Sequence, residues 1–122
     1  RNDILTRFFE TGEMKTDKVM PSLSPSMDIQ VSSNFERYLY DLLDGDAPRL
    51  ARLMDEFQKN RVFKVDGSLM RRARREFHAA RCSDLETMAM MKNCHQETGI
   101  LIDPHTAVAL HAATKLGAQD PA

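Results

Sequence analysis

Ser22–Arg37, SLSPSMDIQVSSNFER, runs from a proline-punctuated polar loop into the start of a helix. Pro21 and Pro25 hold the loop extended, because proline fixes φ and disfavours helix at the residue before it. Ser32, Ser33 and Asn34 then place three small hydrogen-bonding side chains in a row, ahead of Phe35-Glu36-Arg37 and an apolar run. Ser33 with Glu36 three residues later has the form of a capping box and predicts a helix from Asn34. Unpaired N–H groups at a helix start attract anions, and the helix dipole adds to the attraction. Two hydroxyls, an amide and the Arg37 guanidinium at that point can hold a phosphate, the arginine fork supplying a charge-assisted bidentate bond. Such a cluster before a helix is usually a plain N-cap.

On the amino-terminal side, Asn2 or Asp3 can cap a short helix with Ile4, Leu5, Phe8 and Phe9 on one face and Gly12 as its stop. Residues 13–33 read as one long connection, with a short strand possible where Met27, Ile29 and Val31 alternate with polar residues. On the other side, Phe35, Tyr38, Leu39 and Leu42 lie at helical spacing, a core stripe rather than a cofactor box, and that helix ends near Gly45. Asp46 caps the next helix, with Pro48 in its first turn and Leu50, Leu53, Met54 and Phe57 facing inward. Val62–Val65 reads as a short extended piece.

Asp66 opens a further helix around Leu69 and Met70, whose other face carries Arg71, Arg72, Arg74 and Arg75 as a solvated basic run. Phe77–Cys82 and Ile100–Ile102 read as brief strands. Between them, Ser83 and Glu86 form a second capping box for a helix that stops at Gly99. Asp103-Pro104 then starts an alanine-rich helix ending at Gly117.

The chain has 122 residues, enough for one small domain with a core. A hydrophobic content of 42% and a charged content of 29% fit a globular chain rather than a disordered one. The net charge of −1 gives no global field for nucleic acid or an anionic membrane. No apolar run approaches the roughly 20 residues that span a bilayer. Cys82 and Cys94 are too few for a disulfide scaffold and suit a reducing cytoplasm. Nucleic-acid binding by the arginine run would call for aromatic stacking partners or a wider basic surface, and neither is visible. His78, Cys82, Cys94, His95, Asp103, His105 and His111 are candidate metal ligands. Their spacing fits no common zinc pattern, so no metal is expected. Cys94 and His95 point to different sides of a helix and make no nucleophile pair. There is no glycine-rich phosphate loop and no self-contained catalytic site.

Three stretches, in order, resemble the threonine synthases, the pyridoxal-phosphate enzymes that make threonine from O-phosphohomoserine. They are Asn2–Gly12 (NDILTRFFETG), Met27–Leu43 (MDIQVSSNFERYLYDLL), and Glu97-Thr98-Gly99 followed by Asp103–Val108 (DPHTAV). The resemblance covers nearly all of this chain but only a part of the family's chain. It implies an α/β parent of the tryptophan-synthase-β-like group, of which residues 1–122 are a single partial domain on the carboxyl side, mostly α-helical with a few short strands. Both ends then read as cut.

The family's Schiff-base lysine and its cofactor-phosphate loop lie upstream of the part resembled. Lys15, Lys18, Lys59, Lys64, Lys92 and Lys115 sit in none of those contexts, so no catalytic or cofactor-binding residue is expected in this chain. In the family the Asn-Asp turn lies near the cofactor; from the residues alone Asn2-Asp3 reads first as an N-cap. The resemblance assigns Ser32, Ser33, Asn34 and Arg37 to the substrate phosphate, in agreement with the helix-start argument. It further implies a cytoplasmic enzyme whose partners are O-phosphohomoserine and the remainder of the parent, with neither nucleic acid nor membrane, and an isolated chain that is inactive. The competing expectation is a free-standing helical interaction module without chemistry.

Overall fold

The computed structural model describes residues 2–117. Arg1 and the tail Ala118–Ala122, read above as cut ends, lie outside the described residues. In order come α1 (Ile4–Thr11), β1 (Glu13–Lys15), a 3-10 turn (Pro25–Met27), α2 (Ser33–Leu42), α3 (Ala47–Asn60), β2 (Val62–Lys64), α4 (Gly67–Glu76), α5 (Asp84–Thr98) and α6 (Pro104–Gly117). The chain is mostly helical with one small antiparallel sheet, as expected. None of the described helices is long and apolar enough to cross a membrane.

The contacts gather into two compact units. The first comprises Asp3–Lys18 and Ile29–His78 and contains α1 to α4 with both strands. Its core is aromatic. Phe8 of α1 is fully buried, with ring centroids 4.9 Å from Phe35 of α2, 5.5 Å from Phe9 and 6.4 Å from Phe63 of β2. Phe57 meets Phe63 at 5.4 Å, and Phe77 meets Tyr38 at 4.7 Å. Burying one phenylalanine ring is worth about 1.5–3 kcal/mol. Edge-to-face pairs such as these add roughly 0.5–1.5 kcal/mol each. The core stripe of α2 is confirmed, with Phe35, Leu39 and Leu42 buried.

The helix boundaries follow their caps. Asp46 accepts from Arg49 N at 2.9 Å, and Asp66 accepts from Ser68 N and Leu69 N, both at 3.1 Å. The strands pair in the register Glu13–Lys64, Met14–Phe63 and Lys15–Val62, and Glu13 and Lys64 form a cross-strand ion pair at 3.2 Å. The arginine run is not simply solvated. Arg74 donates to Phe9 O at 2.7 Å and Glu10 O at 2.9 Å, satisfying carbonyls of the last turn of α1. Arg72 pairs with Asp41, Asp44 and Glu76 at 2.8–3.2 Å.

The second unit comprises, among the described residues, Asn2, Val19–Asp28 and residues 79–117. Here α5 packs on α6 with Thr87 and Ala107 buried, small side chains that permit close approach. The Ser83–Glu86 capping box is complete in both directions. The loop Val19–Asp28 is held by polar bonds. Asp28 accepts from Ser22 N and Ser22 Oγ, Leu23 N donates to Asp84, and Ser26 N donates to His105 Nε2 at 3.2 Å. Those bonds to Ser22 keep the Asp28 carboxyl below the usual range.

Three strand expectations fail. Residues 27–31 are not extended-paired, since Pro25 starts a 3-10 turn and Ile29 and Val31 face solvent. Phe77–Cys82 and Ile100–Ile102 are irregular and meet no partner strand among the described residues. Conversely, β1 lies inside the stretch read as an unstructured connection. Its residues have little strand character, and pairing with β2 imposes it.

Gly12 closes α1 and opens β1 with φ +79°, and a Cβ there would lie 3.1 Å from Met70 Cγ and 3.2 Å from Val65 O. Gly99 closes α5 with φ +74° and open space around it. Gly99→Ala therefore incurs only backbone strain, about 1 kcal/mol. Gly12→Ala adds the steric cost and exceeds it, for about 2 kcal/mol or more. Urea denaturation of both variants gives the comparison, and equal losses would show that the Met70 and Val65 contacts carry no energy.

Candidate functional site

The amino-terminal end of α2 gathers the four residues assigned to the phosphate. Ser32 is extended (φ −127°, ψ 119°) and its Oγ accepts from Phe35 N at 3.3 Å. The cap is therefore Ser32 rather than Ser33, and the helix starts one residue earlier than the capping-box pattern suggests. Ser33 already has helical geometry, so its hydroxyl cannot reach back to the first turn. The Ser33 and Asn34 N–H groups fall in the first turn and have no intrahelical partner.

Asn34 Oδ1 accepts from Arg37 Nη1 at 3.2 Å, which draws the guanidinium back along the helix toward its open end. Ser33, Asn34 and Arg37 are exposed, and Ser32 is half-buried. The start of α2 thus gathers two open N–H groups, two hydroxyls and a tethered guanidinium. Glu36, also in the first turn, opposes an anion there unless it turns outward. Beside the site, a cavity of about 20 Å³ lined by Val31, Ser32, Phe35, Leu39 and Met54 has room for little more than a water.

The other two matching stretches have structural duties. Asn2 brackets Met20, accepting from Met20 N at 3.0 Å and donating to Met20 O, and also donates to Asp28. Asp3 precedes α1 without a side-chain cap bond and pairs with Arg7 at 3.0 Å. Asp103 accepts from His105 N at 2.9 Å and Thr106 Oγ1 at 2.7 Å. The Thr106 hydroxyl, first among these, brings the Asp103 carboxyl down to about 2. His105 supports the cap as expected. Because Nε2 accepts from Ser26 N, the ring proton belongs on Nδ1, 3.1 Å from Asp103.

Of the metal-ligand candidates, the structure brings Cys82 and His111 together, joined by Glu86, which sequence spacing did not single out. His78, Cys94, His95, Asp103 and His105 join no such group among the described residues.

No family model matches the chain. A threonine synthase from Pseudomonas aeruginosa is 42% identical over 113 residues, which are 93% of this chain and 24% of that protein. The crystal structure of pyridoxal-phosphate-bound threonine synthase from Brucella melitensis superposes with a TM-score of 0.90 at 37% identity, over 93% of this chain and 25% of that one. This chain is homologous to a segment of the threonine synthases. The yeast threonine synthase structure agrees, with a TM-score of 0.91 and 36% identity over 99% of this chain and 26% of that one. The chain thus spans about a quarter of the length of the relatives it matches.

The residues present do not fit a pyridoxal phosphate. All six lysines are exposed, whereas a Schiff-base lysine is activated by desolvation or a neighbouring cation. The cavity beside α2 is far too small for the cofactor ring.

Two outcomes check this account. Ser32→Ala lowers stability by about 1 kcal/mol, and Ser33→Ala by no more than a few tenths. Equal losses in urea denaturation would return the cap to Ser33. Asp103 has a folded value of about 2 against an ordinary 3.8, so its contribution is present in full above that ordinary value. It is lost as pH falls toward the folded value. The difference in urea midpoint between the native protein and Asp103→Ala therefore shrinks as the pH is lowered through that window, and a constant difference would contradict the lowered value.

Proposed function

We propose that this chain is a carboxyl-side portion, residues 1–122, of a cytoplasmic threonine synthase, and that its part in the reaction is to hold the substrate phosphate. The whole enzyme would convert O-phosphohomoserine and water into threonine and phosphate. Pyridoxal phosphate, held by other parts of that enzyme, supplies the electron sink when bound. The observation that carries the proposal is the open start of α2 with Arg37 tethered to Asn34, on a stretch homologous to threonine synthases.

Ser32, Ser33, Asn34 and Arg37 would bind the phosphate as a dianion, the N–H groups and hydroxyls donating to its oxygens and Arg37 balancing its charge. Held there, the phosphate orients the rest of the substrate, and the same donors stabilise the negative charge as the group departs. The site is preorganised, because the Ser32 cap and the Asn34–Arg37 bond exist without ligand. The unpaired thiols of Cys82 and Cys94 support the cytoplasmic placement.

In the complete enzyme, Arg37→Ala removes about 2–4 kcal/mol of transition-state stabilisation, roughly a 30- to 1000-fold fall in kcat/KM for O-phosphohomoserine. Arg37→Lys recovers only part of it, because an ammonium cannot make the fork. Steady-state kinetics reads both, and an unchanged kcat/KM in Arg37→Ala would remove the phosphate site from α2.

A further inference from the structure

Three side chains of metal-binding type meet where the start of α5 lies against α6. Cys82 Sγ, a carboxylate oxygen of Glu86 and a ring nitrogen of His111 all lie within 4.8 Å of one another. Cys82 directly precedes the cap residue Ser83, and Glu86 follows one turn on, so both are presented on the same side. His111 arrives from α6. Its Nε2 is 3.7 Å from Glu86 Oε1, is buried, and has no hydrogen-bond partner among the described residues. A buried ring nitrogen without a partner is costly, and a ligand would relieve it.

Glu86 is already aimed. Its Oε2 accepts from Ser83 N at 2.7 Å, which leaves Oε1 facing His111. That backbone bond also keeps the Glu86 carboxyl below its usual range, so it is ionised at neutral pH. Cys82 is an unpaired, half-buried thiol, 3.3 Å from Thr87 Oγ1. Lys115 adds a positive field at Glu86, but its side chain is exposed and its ammonium can turn away.

We propose that Cys82, Glu86 and His111 form a three-ligand site for a borderline-soft divalent transition metal, best matched by zinc, that ties the start of α5 to α6. One sulfur, one imidazole nitrogen and one carboxylate oxygen suit tetrahedral zinc, with water as the fourth ligand. The thiolate selects against magnesium and calcium. Zinc bonds of about 2.0–2.3 Å set ligand atoms roughly 3.3–3.8 Å apart. The Glu86–His111 distance of 3.7 Å is close to that range, and Cys82 Sγ, within 4.8 Å of both, draws in on binding. Binding releases the Cys82 thiol proton to solvent and forms the zinc–sulfur bond without any change of oxidation state. The Ser83 N–H serves as the outer support that orients Glu86.

The test is thiol alkylation followed by peptide mapping on the complete protein after chelation, with and without added zinc chloride. Zinc slows alkylation of Cys82 by about tenfold or more, because a metal-bound thiolate is a poor nucleophile, and leaves Cys94 unchanged as the internal reference. Magnesium chloride protects neither cysteine. His111→Gln and Glu86→Gln each abolish most of the protection, and calorimetric titration of the unaltered protein gives a zinc-binding event that Cys82→Ser removes. If zinc does not change the Cys82 rate in the unaltered protein, the cluster is only an imidazole–carboxylate contact beside a thiol and the site is refuted. Protection that survives His111→Gln refutes it equally.

Discussion

Phe8 is the residue on which the α1–α4 unit depends. It is fully buried and touches rings contributed by α1 itself, α2 and β2. Through those rings, all six phenylalanines and Tyr38 join in one connected network. An aromatic hub of this kind fixes orientation as well as distance, because edge-to-face contacts are lost when a ring tilts. The consequence for α2 is direct. Phe35 packs on Phe8 from the first turn of the helix, so the open N–H groups of Ser33 and Asn34 are held by the core rather than by a loop.

That arrangement holds the exposed start of α2 in place. Ser32 closes one donor of the helix start, leaving the next positions open, and Arg37 is restrained by Asn34. What the start of α2 presents is a fixed set of donors, two backbone N–H groups and a guanidinium restrained by Asn34.

Much of this was legible in the sequence where one local signal decided the outcome. Asp46, Asp66 and the Ser83–Glu86 pair cap helices as their spacing predicts, and Gly12 and Gly99 end helices in left-handed geometry. The failures occur where tertiary contacts decide. Glu13-Met14-Lys15 becomes a strand because Val62–Lys64 lies beside it, whereas the more strand-like Ile100-Leu101-Ile102 finds no partner among the described residues. Two of the four clustered arginines turn from solvent to α1 carbonyls and α2 carboxylates, partners remote in the chain. Ser32, Ser33, Asn34 and Arg37 stand together at one helix start because they lie within six residues of one another in the sequence. The Cys82–Glu86–His111 group escaped because spacing rules see ligands on one segment, and His111 comes from another helix.

The strand pair has a kinetic meaning. From α2 through β2, successive elements follow one another through short connections, and α2 packs on α3 and α3 on β2 between near neighbours in the chain. β1 must instead find β2 across the whole of α2 and α3. Loop-closure entropy opposes that step, yet it grows only by about 0.6 kcal/mol for each doubling of the loop. Pairing β1 with β2 is therefore a non-local step for the unit, one that costs loop-closure entropy before its contacts reward it.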